Sequence, residues 1–237
     1  MVQIQQLKEK LARACRIVYR ETPLPDPFGH ISLRISENKI LILGHVHDEG
    51  RSLEDALPED IVQIDLDGNI LEGKSHPPEE KVIHTAIYRA RKDVNSVVHA
   101  HPQIATAFST VDQKILPITL GSTIFYKGVP IVDVGTSWIT SGAHGKVLVE
   151  KLGDRNAVLL RGHGVVTAGR TLEEACFVTI ALEKAARMQI VASMAGTPRP
   201  FSAYHSKEYA QTELPDVHEW TYFEKRLRQL EQKSEKT

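Results

Sequence analysis

Two short motifs, His99-Ala100-His101-Pro102 and Arg161-Gly162-His163-Gly164, constrain this chain's fold more than any other feature. The run Asn95-Ser96-Val97-Val98-His99-Ala100-His101 reads as a strand, along which side chains alternate faces. His99 and His101 therefore point the same way, about 7 Å apart along the backbone, a spacing that suits chelation of one ion. Asn156-Ala157-Val158-Leu159-Leu160 is a second apolar strand, and it delivers His163 between two glycines. Three neutral imidazoles plus an open position are the donor set of a catalytic divalent site rather than a closed structural one. A lone His-x-His pair also occurs at strand ends that bind no metal. Two motifs, each flanked by Gly or Pro, are more specific.

The rest of the chain is that of an ordinary globular protein. Its 237 residues are 41% hydrophobic and 25% charged, with no linker-like or low-complexity tract, so one domain over 1–237 is expected. A net charge of −1 with Lys and Arg spread throughout gives no footprint for nucleic acid. The N-terminus lacks the order of a signal peptide, and no apolar run approaches the ~18 residues of a membrane span. A cytoplasmic location without a membrane partner is the expectation. Cys15 and Cys176 fall in helix-like segments and are expected to be small buried hydrophobes rather than a disulfide.

Periodicity predicts the elements. Ile4, Leu7, Leu11, Ala14, Cys15 and Val18 mark a helix over 3–20. Strands are predicted at His30–Ile35, Lys39–Gly44 and Ile61–Asp65, with a hairpin turn at Asp67-Gly68. Pro77-Pro78-Glu79-Glu80 opens a helix that carries Glu80 and His84. After the His99 strand come a helix from Gln103, two short β segments at Ile115–Thr119 and Val129–Val134, and a helix over Ala143–Lys151. Thr171-Leu172-Glu173-Glu174 reads as a capping box that starts a helix through Met194. Trp220, Phe223, Leu227 and Leu230 give a docking helix at 218–233. Strands interleaved with helices indicate a mixed sheet covered by helices.

Together these residues resemble the class II aldolase and adducin family over about residues 5–200. The matching strings are Gly29-His30-Ile31-Ser32, Glu79-Glu80-Lys81-Val82-Ile83-His84, Val97-Val98-His99-Ala100-His101-Pro102 and Arg161-Gly162-His163-Gly164. The resemblance implies a three-layer α/β/α fold around a central, largely antiparallel mixed sheet. It also implies one divalent metal ion per subunit (Zn, Mn, Co or Fe) and a homotetramer with active sites at subunit interfaces. Carried over by position, His99, His101 and His163 are the metal ligands. Glu80 is the acid/base carboxylate, which can also approach the metal when no substrate is bound. A helix-start carboxylate serving only the dipole is the plain alternative for Glu80.

Departures from the family pattern bear on substrate. Sugar-phosphate members carry an early Gly-Asn-x-Ser, a Thr/Ser-Gly loop and a Ser-Ser pair before the catalytic acid. Here those places read His30, Leu43-Gly44-His45-Val46-His47 and Pro78-Glu79. A carboxylate at Glu79, where a hydroxyl would meet phosphate, repels a dianion. Branches with Gly-His-Ile-Ser resemble decarboxylases of hydroxylated aromatic or heteroaromatic dicarboxylates. His30, Arg34, His45 and His47 then become candidates for gripping a carboxylate or phenolate, with ordinary hydrogen-bonded roles as the alternative. His84, one turn after Glu80 on the same side, either orients that carboxylate or fills the core. His144 and the Tyr204-His205 pair are further substrate-binding candidates, because family sites recruit a tail residue as a second proton carrier.

The expected activity is a metal-dependent carbon–carbon lyase, foremost a decarboxylase of a small hydroxylated acid. A divalent Lewis acid beside a carbonyl or phenolic oxygen stabilises the enolate that decarboxylation and retro-aldol cleavage share. Rivals are an aldolase of a non-phosphorylated hydroxy-oxo acid or a sugar phosphate, an adducin-like interaction module, and an iron-dependent oxygenase. The intact histidine triad speaks against a module, which has no need of three convergent imidazoles.

Overall fold

In the computed structural model, which describes residues 2–23, 27–45, 52–135, 138–210 and 217–234, strand alternation sorts the apolar residues into two cores. The strands are β1 (His30–Ser36), β2 (Lys39–Leu43), β3 (Ile61–Asp65), β4 (Ile70–Glu72), β5 (Ser96–Ala100), β6 (Ile131–Val132), β7 (Ala157–Leu160) and β8 (Gly164–Gly169). Among the described residues they form one eight-stranded sheet in the order β4-β3-β2-β1-β5-β8-β7-β6. Every neighbouring pair is antiparallel except β6 with β7. Leu41, Ile61, Val98, Leu159 and Val165 face helices α1 (Val2–Glu21), α3 (Gln103–Phe108), α5 (Leu172–Ala195) and α7 (Val217–Ser234). Ile40, Ile42, Val62, Val97, Val158 and Val166 face α2 (Lys81–Ala90) and α4 (Gly142–Leu152). The fold is three-layer α/β/α, with one apolar core on each side of the sheet.

Sequence chemistry explains the helix boundaries. Thr171 Oγ accepts the Glu174 N–H at the start of α5, as the capping motif predicts. The return bond closes one residue early, because the Glu174 carboxylate accepts from the Arg170 N–H at 2.9 Å. The predicted tail helix is α7. It seats Trp220, Phe223 and Leu227 in the core beside α1, and Arg13–Glu224 and Arg16–Glu231 ion pairs at 3.0 and 2.9 Å flank the seam. Cys15 and Cys176 are buried and free, and burial pushes both thiols up.

One expectation is corrected, and two elements are added. Ile115–Thr119 forms no strand: Pro117 has no N–H for a ladder, and the neighbouring peptides bond Gln189 of α5 instead. Strand β8 and the short helix α6 (Ala203–Ala210) were not foreseen. His163 follows the predicted apolar strand and sits in the tight β7–β8 turn. Its N–H bonds the Leu160 carbonyl at 3.1 Å, and Gly162 supplies the left-handed backbone, φ +63°. No helix among the described residues is long and apolar enough to cross a membrane.

Candidate metal centre and active site

Period-2 alternation turns His99 toward the α2 side of the sheet, and His101 follows just beyond the end of β5. The β7–β8 turn brings His163 beside them. Gly164 is required there, since a Cβ would stand 2.5 Å from the Ala100 carbonyl and 2.6 Å from the His101 ring. The α2 N-terminus contributes Glu80 at the N-cap position. Its carboxylate makes no cap hydrogen bond and is turned into the site, so the dipole-only alternative does not describe it.

Donor atoms of His99, His101 and His163 lie within 4.8 Å of one another. The Nε2 atoms of His99 and His101 are 3.1 Å apart, and Glu80 Oε2 lies 3.3 Å from His99 Nε2 and 3.6 Å from His163 Nε2. His99 Nδ1 donates to the Val165 carbonyl at 3.0 Å, so in the neutral ring Nε2 carries the lone pair. Burial alone would raise the Glu80 pKa. The His99 contact, the Ile139 N–H and His163 outweigh it and lower the carboxyl pKa, the two histidines acting through their protonated rings. With those rings deprotonated, the Glu80 carboxylate and the imidazole lone pairs converge on one point. This donor set fits a divalent cation, with Val165 fixing the tautomer that presents Nε2.

The cluster lies at one wall of a cavity of about 370 Å³. Phe28, Gly29, His30, His45, Glu79 and Trp138 line it beside the cluster, and no Lys or Arg does so among the described residues. Phe28 and Trp138 are 50% and 59% exposed, which leaves two aromatic faces open to a ligand. Neither was foreseen as a site residue; the adjacency of Phe28 to the Gly29-His30 motif was the available signal.

The other candidates divide. β1–β5 pairing sets His30 opposite His99, and His30 lines the cavity. His84 is fully buried behind that wall, bonded to His30 and Ser32. Burial, and then the neighbouring histidines, lower the His30 pKa well below its usual value and that of His84 to about 3, so both rings are neutral. His45 lines the cavity, whereas His47 lies outside the described residues. Arg34 is corrected. It stands about 13 Å along β1 from His30, and its guanidinium caps the carbonyls of Tyr88, Arg91 and Val94 at the end of α2. His144 Nδ1 bonds the Trp138 carbonyl at 3.1 Å, beside the cavity but not lining it. Tyr204 and His205 meet edge-to-face on exposed α6 and reach no wall of the cavity within one chain.

Comparison with known proteins follows the same lines. The model of the class II aldolase and adducin N-terminal domain matches residues 9–190. The chain is 34% identical over 199 residues to a 3,4-dihydroxyphthalate decarboxylase of Arthrobacter keyseri, covering 80% of this chain and 79% of that protein. It is 29% identical to an L-fuculose phosphate aldolase of Methanocaldococcus jannaschii, over 78% of this chain and 96% of that one. The crystal structure of an aldolase II superfamily protein from Pseudomonas syringae superposes with a TM-score of 0.84 at 26% identity, over 97% of this chain and 94% of that one. The sheet order, the clustered histidines and these matches agree: the chain belongs to the class II aldolase and adducin family.

Proposed function

We propose that this protein is a divalent-metal-dependent carbon–carbon lyase that decarboxylates a small hydroxylated aromatic or heteroaromatic carboxylic acid. One observation carries the reading: a cluster of electron-pair donors opens onto a cavity with two aromatic faces and, among the described lining residues, no cationic side chain. That lining suits a planar ring bearing carboxylate and hydroxyl groups, and Glu79 within it repels a phosphate dianion. The decarboxylase relative supports the same choice.

His99, His101 and His163 would hold the ion, which when bound supplies Lewis acidity to an oxygen next to the bond that breaks. Phe28 and Trp138 stack on the ring and shield it from water. Glu80 takes a proton from a substrate hydroxyl and returns it to the carbon that CO₂ vacates. Tyr204 or His205 would join only across a subunit boundary. The apolar end of α5, with Val191 56% and Met194 84% exposed, supports such an assembly.

Zinc- or manganese-loaded protein should release CO₂ from 3,4-dihydroxyphthalate or from related hydroxylated benzene and pyridine dicarboxylates. It should release no aldehyde from L-fuculose 1-phosphate. Aldehyde release without CO₂ from any aromatic acid would reverse the assignment in favour of an aldolase.

A further inference from the structure

Behind the cavity wall runs a chain of polar side chains that neither metal binding nor proton transfer by Glu80 uses. Tyr88 Oη lies 2.7 Å from Ser32 Oγ, Ser32 Oγ lies 2.6 Å from His84 Nδ1, and His84 Nε2 lies 2.7 Å from His30 Nδ1. All four side chains are buried, so their polar atoms must be satisfied by one another and by adjacent backbone. Ser32 Oγ meets no acceptor among the described residues besides Tyr88 and His84, so its buried O–H must lie in one of the two links, and with neutral rings the chain has two fully bonded states. In the first, Tyr88 donates to Ser32, Ser32 to His84 Nδ1 and His84 Nε2–H to His30 Nδ1, and His30 carries its proton on Nε2. In the second every bond reverses, and His30 Nε2 becomes a lone pair.

Both ends favour the first state. In the reversed chain the Tyr88 hydroxyl would turn to the Asn95 carbonyl, 3.4 Å away and beyond the normal O–H···O range, whereas Ser32 Oγ is at 2.7 Å. The Arg34 guanidinium, 4.6 Å above the Tyr88 ring, draws electron density from the phenol and strengthens it as a donor. At the other end, His30 Nδ1 is turned back to His84, leaving Nε2 for the cavity that His30 lines. Ligand atoms of His30, Glu80 and His99 lie within 4.8 Å of one another. A third lone pair among them would be repelled, whereas an N–H is welcome.

The geometry points to His30 as a fixed neutral donor whose Nε2–H bonds an anionic carboxylate or phenolate oxygen of the ligand. Tyr88, Ser32 and His84 are positioning residues that hold the ring in this tautomer. The inference rests on the reading of the cavity as a hydroxy-acid site. Such a donor selects an oxygen acceptor at that place and rejects a group that itself presents N–H, which would leave two donors facing.

Neutron diffraction from deuterated, zinc-loaded protein tests the direction without any substrate. Deuterium is expected on Nε2 of both His30 and His84 and on Tyr88 Oη toward Ser32; deuterium on Nδ1 of either ring overturns the proposal. Calorimetric binding of 3,4-dihydroxybenzoate by zinc-loaded variants tests the use. His30→Leu should weaken binding by about 10- to 100-fold, the worth of a hydrogen bond to a charged group. His30→Gln, which keeps an N–H at similar reach, should recover most of that loss. Ser32→Ala, at full zinc content, should weaken binding severalfold and let deuterium appear on His84 Nδ1. Unchanged binding in His30→Leu would show that the donor does not serve the ligand. Wild-type zinc protein that ignores the probe strikes instead at the hydroxy-acid reading, and the deuterium positions then decide the tautomer alone.

Discussion

The main-chain N–H of Ile139 donates to Glu80 Oε1 at 2.8 Å, so Oε2 is the oxygen turned toward His99 and His163. One oxygen is anchored by backbone and the other is left for chemistry. Glutamine in this place can still accept from Ile139 through its carbonyl oxygen but can carry no proton between substrate atoms. Glu80→Gln should lose about 10²- to 10⁴-fold in turnover while keeping metal content and thermal midpoint. Turnover, metal content and midpoint measured side by side decide this, and wild-type turnover would move the proton chemistry to another group.

Each of His99, His101 and His163 should be needed for the ion. Loss of a group that merely orients a metal-bound histidine costs about 10- to 100-fold in affinity, and loss of a direct donor costs at least that. The three single Ala variants should therefore emerge largely free of metal by elemental analysis, with far-UV circular dichroism like the wild type. Full occupancy in all three would refute the ligand assignment.

Gly164 sets how closely the β7–β8 turn approaches His101. A methyl group there meets the Ala100 carbonyl and the His101 ring, and neither can move without disturbing β5 or the cluster. Gly164→Ala should cost about 1–3 kcal/mol of stability and also lower metal affinity. A midpoint and a zinc titration both equal to wild type would contradict the close approach.

His30 and His84 make the metal-free protein sensitive to mild acid. Both rings are neutral in the fold, with pKa values lowered chiefly by burial, to about 3 for His84, whereas the unfolded chain binds their protons near pH 6.5. Stability is therefore full above about pH 6.5 and falls as pH drops below it, because the unfolded chain takes up protons that the buried rings refuse. Denaturant melts from pH 7 to pH 4 should show this slope. It should be shallower in His84→Asn, and an identical slope there would remove His84 as a source.

How far the sequence reaches is clearest at His99. Period-2 alternation and the His-x-His spacing place His99 and His101 on one face of a strand, and the apolar run before Arg161 brings His163 to a strand end. Those are local properties, fixed by backbone geometry within a few residues. The same local chemistry marks α1 and α7 by their apolar stripes and α5 by its Thr171 cap, all visible without any partner. What pairs with what is not local. Only the β1–β5 register sets His30 against His99, and only the path of α2 over the sheet turns Glu80 away from its own helix end and onto the cluster. Arg34 shows the same limit. Its charge invites a substrate role, but strand rise carries it beneath the end of α2, where carbonyls without helical partners claim the guanidinium. The residues of the histidine cluster were written in the motifs, whereas their neighbours were decided by burial. A buried polar group must find its partner in whatever part of the chain the tertiary fold lays beside it.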